Sequence, residues 1–240
     1  MLVICVALFL IATLYACVGQ AGASGFIAVM ALFGLAPGMI KPTALALNVL
    51  VSLVVTLRFV KAGHGSWSVL WPFAVTSVPA AFVGGYLSLP ATTFNLVLGV
   101  LLVIASWPFL FRRKGPEPET VPPPPPLAMA AGAAIGLLSG LTGMGGGVLL
   151  APVLIHCGWC GTRAAAGVSS GFILLNSVVA LAGYWSAGHA LPAQLPLYAV
   201  AAVLGGAFGA QLGARHLSVP AIHRLLGVVL LVAGIRLVFT

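Results

Sequence analysis

The chain has 240 residues, of which 61% are hydrophobic and only 5% are charged. Because so few charges cannot cover the surface of a water-soluble domain, the composition predicts a helical protein that crosses the membrane several times. The alternating ten-residue pattern of a transmembrane β-barrel is absent. The net charge of +8 lies mostly near the ends of apolar segments, which favours an orientation signal over a nucleic-acid-binding surface.

Ten apolar segments follow one another in two groups of five. The first group covers roughly residues 1–18, 24–36, 42–60, 67–88 and 91–111, and the second 127–142, 148–157, 164–185, 193–213 and 220–239. Residues 112–126 separate the groups and hold both acidic residues of the chain and seven of its 17 prolines, which predicts a non-helical cytoplasmic linker. The predicted organisation is one integral membrane domain, with a first repeat at 1–111 and a second at 127–240.

The two groups share local sequence patterns. Lys61–His64 matches Ser186–His189 at an offset of 125, and Gly19–Ala23 falls on Gly143–Gly147 at an offset of 124. Similarity at a nearly constant offset over most of the chain predicts one duplicated unit.

The basic residues predict how the two repeats are oriented. Lys and Arg favour the cytoplasmic side, and inverting the second repeat places eight of the ten basic residues there. A parallel repeat would place fewer basic residues on the cytoplasmic side. The inverted arrangement leaves only Lys41 and Arg236 outside. The eight are Arg58, Lys61, Arg112, Arg113, Lys114, Arg163, Arg215 and Arg224.

A glycine run at Gly143–Gly147 interrupts apolar sequence. Each glycine costs a helix interior about 1 kcal/mol relative to alanine, and unwound backbone is tolerated in lipid only where it is buried or lines a cavity. The following segment, 148–157, would span roughly 15 Å at about 1.5 Å per residue and cannot cross a core of about 30 Å. We therefore expect a re-entrant hairpin with a glycine tip at membrane depth and, by the repeat, an opposed tip at Gly19–Ser24. The predicted fold is all-α, with such a hairpin and three transmembrane helices in each inverted repeat.

These motifs resemble the TauE/SafE family of bacterial membrane proteins. The resemblance rests on Gly140–Gly147, Pro152, Ala166–Ser170 and Gly188–His189, and it covers essentially the whole chain. It implies a transporter of small anions such as sulfite, sulfoacetate or other organosulfonates, usually in the export direction, in the bacterial inner membrane. The first half departs from the pattern, because Gln20–Ser24 stands where the second half has the fuller glycine run.

The predicted binding site lies where the two glycine tips meet. Helices that begin near Gly25 and Val148 would direct their N-termini, each with about half a positive charge and free N–H groups, at the midplane. The alternative for the glycines is close helix packing, and for the amides and hydroxyls it is hydrogen bonding between helices. The candidate substrate-binding residues are Gln20, Gly22, Ser24, Asn48, Thr142, Gly143, Gly145, Gly146, Gly147, Ser169, Ser170 and Asn176.

Outside residues 112–126 there is no Asp or Glu to carry protons or bind sodium within the membrane. With no nucleophile–base pair and no nucleotide-binding loop, the sequence predicts a non-enzyme without cofactor or metal. Cys157 and Cys160 have the spacing of a redox pair, so a transmembrane thiol–disulfide electron carrier is one alternative, and a passive anion channel is another. The expected partners are a small anion and the lipid bilayer but no nucleic acid, and a homo-oligomer remains open.

Overall fold

The computed structural model describes residues 2–17, 22–111, 119–213 and 219–239, and within these ranges it contains ten α-helices and no strand. Each predicted apolar segment contains one helix, so the predicted all-α fold is confirmed. The helices are α1 (Leu2–Cys17), α2 (Ala23–Leu32), α3 (Pro37–Lys61), α4 (Trp67–Tyr86), α5 (Ala91–Leu110), α6 (Pro125–Thr142), α7 (Gly147–His156), α8 (Thr162–Ser186), α9 (Leu195–Gly213) and α10 (Val219–Val238).

α3 and α6 begin before the predicted apolar segments, and in both helices proline occupies the first turn. α3 begins at Pro37 instead of near residue 42, so Lys41 lies inside the helix rather than before it. α6 begins at Pro125, within the predicted linker. Proline is accepted at these positions because the first N–H groups of a helix have no partner within it.

Five helices, α3, α4, α5, α6 and α8, are long and apolar enough to cross a membrane, so the chain is a multi-pass membrane protein. α2 and α7 have ten residues each. At about 1.5 Å per residue they reach roughly half way across the hydrocarbon core. Neither short helix is therefore long enough to cross a membrane alone.

α3 and α8 are the third helices of the two predicted repeats, and they run antiparallel to each other. Gly167, near the start of α8, contacts the carbonyl group of His64, just beyond the end of α3. At the other end, the hydroxyl of Tyr184 donates to the carbonyl oxygen of Gly38 at 3.5 Å. The two 25-residue helices therefore lie side by side along most of their length.

α5 and α10 form the second pair of equivalent helices, and they are also antiparallel. A Cβ added to Gly99, early in α5, would lie 2.8 Å from the carbonyl oxygen of Gly234, late in α10. A Cβ on Gly227 would lie 2.8 Å from the Cγ of Leu110, the last residue of α5. In both pairs, then, equivalent helices point in opposite directions.

The fourth helix of each predicted repeat packs on the first helix of the other. α4 lies on α6, where a Cβ on Gly136 would lie 2.6 Å from the Cα of Ser77. α9 lies on α1, where a Cβ on Gly209 would lie 2.7 Å from the Cα of Thr13. Such close backbone approach needs small residues. It packs α4 and α9 each against a helix from the other half of the chain.

We expect Gly136→Ala to lower the melting temperature of the purified protein in detergent. The new Cβ would push α4 and α6 apart, and overpacking of this kind costs about 1–3 kcal/mol. Gly38→Ala is the matched control, because no heavy atom lies within 4 Å of a Cβ at that helical position. Thermal unfolding followed by tryptophan fluorescence measures both, and equal stability of the two variants would contradict the close packing.

Candidate functional site

The glycine run forms the break between α6 and α7. Gly143, Gly145 and Gly146 have φ angles of 84°, 70° and 77°, and Gly22, just before α2, has a φ of 82°. This left-handed conformation strains any residue with a Cβ, so glycine is the residue that allows the chain to unwind here. The two short helices therefore begin in the same way.

The N-termini of α2 and α7 meet at one pocket, as the sequence predicts for helices starting near Gly25 and Val148. Five of the predicted residues line it: Gly22, Ser24, Gly147, Ser169 and Ser170. The other lining residues are Tyr15, Ala23, Val148, Ala151, Ala166 and Ile173. Both helix ends carry partial positive charge and N–H groups without intrahelical partners, so the pocket has the polarity of an anion site.

The side-chain hydroxyls of the pocket differ in how they are hydrogen-bonded. Tyr15 and Ser24 share a hydrogen bond of 2.8 Å between their hydroxyl oxygens. The hydroxyl of Ser170 donates to the carbonyl oxygen of Gly167 at 2.9 Å. Ser169 is only 4% exposed, and its buried hydroxyl has no hydrogen-bond partner among the described residues. Since a buried polar group is normally hydrogen-bonded, Ser169 is the hydroxyl most available to a ligand.

The pocket is narrow in this structure. Its cavity volume is about 10 Å³, which is room for about one water molecule. A sulfonate is larger than water, so it does not fit the cavity at its present size.

The glycine break is fixed to α3 by Asn48, which does not line the pocket. Its side-chain N–H donates to the carbonyl oxygen of Gly143 at 2.9 Å. Thr142 instead completes the end of α6, because its hydroxyl donates to the carbonyl oxygen of Leu138 at 2.6 Å. Both residues therefore hold the unwound backbone in place.

Three other predicted residues also lie outside the pocket. Gly146 packs against Ile135 and Phe172, and a Cβ on Gly145 would lie 3.1 Å from the hydroxyl oxygen of Ser177. Asn176 is fully buried, and its amide has no hydrogen-bond partner among the described residues. Gln20 lies outside the described residues. The structure thus separates a pocket at the two helix N-termini from a second polar group around the break.

Two polar residues that line or support this region were missed from the sequence. Tyr15 lies in an apolar helix, and its ring packs against the start of α2. A Cβ added to Gly25 would lie 2.5 Å from this ring, so only glycine leaves room for it. A single tyrosine shortly before the glycine tip is the signal that could have found it. The charge pattern places Lys41 outside the membrane, yet only 5% of the residue is exposed.

Cys157 and Cys160 do not resemble a redox pair. Both thiols are free, Cys157 is exposed and Cys160 is buried. Burial raises the pKa of the Cys160 thiol to about 11, whereas reactive cysteines have a lowered pKa that favours the thiolate. Among the residues that the structure describes, no three His, Cys, Asp or Glu side chains come together as metal ligands.

Comparison with known proteins places the chain among membrane transporters. The chain is 43% identical over 238 residues to "Probable membrane transporter protein y4hK" of Sinorhizobium fredii, covering 98% of this chain and 96% of that protein. It is 26% identical over 220 residues to "Probable membrane transporter protein YunE" of Bacillus subtilis, covering 82% and 79% respectively. No solved structure matches it. Residues 4–237 match the family described as "Sulfite exporter TauE/SafE", and the chain therefore belongs to the TauE/SafE family of membrane proteins.

Proposed function

We propose that this protein is a secondary transporter of small anions such as sulfite, sulfoacetate or other organosulfonates. Export is the direction that the family name suggests. The anion binds at the pocket between the N-termini of α2 and α7, and access to that pocket alternates between the two sides of the membrane.

The observation that carries the proposal is the meeting of two helix N-termini beside an unpartnered hydroxyl. The starts of α2 and α7 and the side chain of Ser169 line the same pocket. A sulfonate or sulfite offers several oxygens that accept hydrogen bonds from N–H and O–H groups. The only acidic residues of the chain, Glu117 and Glu119, lie in the linker, so no carboxylate opposes an anion within the membrane.

The directions of the equivalent helices support an inverted arrangement of the repeats. α3 runs antiparallel to α8, and α5 runs antiparallel to α10. A two-fold axis in the membrane plane reverses equivalent helices, whereas an axis along the membrane normal leaves them parallel. Inverted repeats around a midplane site are the usual basis of alternating access in secondary transporters.

The position of the pocket also suits alternating access. It lies beside Ala166–Ile173, in the first half of α8, and near the break that Asn48 holds at the middle of α3. Closure of the pocket in the present structure then corresponds to an occluded stage between the two open ones. A passive channel would need a continuous opening, and accumulation of the anion against its gradient distinguishes the two mechanisms.

We expect cysteines at the two equivalent loops to label from opposite sides of the membrane. Ala62→Cys and Ala190→Cys, each in a cysteine-free background, place exposed thiols after α3 and after α8. Inverted repeats predict that an impermeant maleimide added to intact cells labels Ala190→Cys, and that Ala62→Cys is labelled only after permeabilisation. Labelling of both from one side would contradict the inversion.

We expect Ser169→Ala to weaken anion binding without destabilising the protein. A hydrogen bond to a charged group contributes about 1.5–3 kcal/mol, so the concentration for half-maximal flux should rise roughly tenfold or more. The measurement is uptake of radiolabelled sulfite or sulfoacetate by proteoliposomes, together with the melting temperature.

Ser177→Ala is the matched control for that experiment. Ser177 is on the same helix, is equally buried and also has an unpartnered hydroxyl, but it lies outside the pocket. If Ser169→Ala and Ser177→Ala raised the concentration for half-maximal flux equally, the pocket would not be the binding site. Wild-type proteoliposomes that move neither anion would overturn the proposed substrate class.

A further inference from the structure

Lys41 carries a positive charge buried within the helix bundle. Its ammonium group donates to the carbonyl oxygens of Gly84 and Gly85 at 2.9 Å each, and to that of Leu87 at 2.7 Å. These are the last carbonyl groups of α4, where the helix dipole is negative. The ammonium also lies 5.7 Å from the ring centre of Tyr184. Carbonyl dipoles thus stabilise this charge, and the chain's two acidic residues are far along the sequence, in the linker.

The repeat places Lys41 at the position equivalent to a pocket residue. α3 and α8 both have 25 residues, and Lys41 and Ala166 are the fifth residue of each. Ala166 lines the pocket, as does Ile173, which is equivalent to Asn48 at the same offset of 125. The face of α8 that forms the pocket therefore corresponds to the face of α3 that carries Lys41 and Asn48.

In the present structure the glycine break covers that face of α3. A Cβ on Gly143 would lie 2.9 Å from the carbonyl oxygen of Lys41 and 3.5 Å from the Cβ of Ala44. Asn48 holds the same break through its hydrogen bond to the Gly143 carbonyl. The pocket is thus lined by α8, while the corresponding face of α3 is covered.

We propose that Lys41 binds the transported anion when the site opens on the opposite side, along α3 instead of α8. This inference rests on the proposed function and extends it by naming a cationic ligand on one side only. Exchanging the conformations of two inverted repeats exchanges which equivalent face lines the pocket. The opened α3 face would present an ammonium where α8 presents the methyl group of Ala166, and a charge-assisted hydrogen bond would join the ammonium to the anion.

The three carbonyl groups at the end of α4 give Lys41 a second set of partners. When the site is closed on that side, the ammonium is held by Gly84, Gly85 and Leu87, as observed. When the site is open there, the anion competes with these carbonyls for the same donors. Return of the ammonium to α4 then accompanies loss of the anion, so a buried charge is never left without a partner.

The test compares transport from the two sides of the membrane. Sulfoacetate flux is measured in right-side-out and inside-out vesicles for the wild type, Lys41→Met, Lys41→Arg and the control Lys61→Met, which removes an exposed lysine at the other end of α3. We expect Lys41→Met to raise the half-maximal concentration tenfold or more for entry from the Lys41 side and less than twofold from the other side. Lys41→Arg should retain most of the wild-type affinity.

An equal rise in the half-maximal concentration from both sides would mean that Lys41 only caps α4, and it would overturn the inference. A lower maximal rate and a lower melting temperature with no change in the half-maximal concentration would overturn it as well. Absence of wild-type flux would overturn the proposed function as well, so the two failures are distinguishable.

Because Lys41→Met removes three hydrogen bonds and can impair folding, a second measurement uses wild-type protein. An impermeant amine-acylating reagent is added to either side, and acylation of Lys41 is followed by mass spectrometry. Acylation from the outer side only, slowed by sulfoacetate, supports the inference. Equal acylation with and without sulfoacetate, or no acylation from the outer side, contradicts it.

Discussion

The hydrogen bond from the Asn48 amide to the carbonyl oxygen of Gly143 fixes the feature on which the rest of the molecule depends. An unwound segment inside a membrane exposes backbone groups that lipid cannot satisfy, so it must be anchored to protein or must face a cavity. Asn48 anchors the end of α6 to the middle of α3. Beyond the break, α7 begins at Gly147, which lines the pocket together with Gly22, Ala23 and Ser24 at the start of α2.

The sequence was sufficient to locate the helices and the glycines that precede α2 and α7. Segments of apolar residues locate each helix to within a few residues, because membrane helices must be apolar along their length. The glycines locate the breaks, because positive φ angles favour glycine. The apolar segments place the starts of α3 and α6 too late, because Lys41 and Pro125 precede the predicted segments but lie within the first turns of these helices.

The lining of the pocket could be predicted only in part, because the sequence does not give the height of one helix against another. Ser169 and Asn176 lie about two turns apart on the same face of α8, yet Ser169 lines the pocket and Asn176 does not. Their positions along the axis of α8 decide this, and the height of α8 against α3 is set by contacts such as Gly167 against His64, which join distant parts of the chain. Tyr15 and Lys41 escaped prediction for the same reason, since each acquires its partners from another helix.

The packing of α9 on α1 has a consequence for biosynthesis. α1 leaves the ribosome long before α9, whose Gly205 and Gly209 pack directly on the α1 backbone and which begins only at Leu195. Until then α1 has no partner for that surface and must wait in the membrane or in the insertion machinery. The part of the chain before α9, synthesised alone, would lack this partner, and assembly of the bundle therefore finishes only after α9 has been translated.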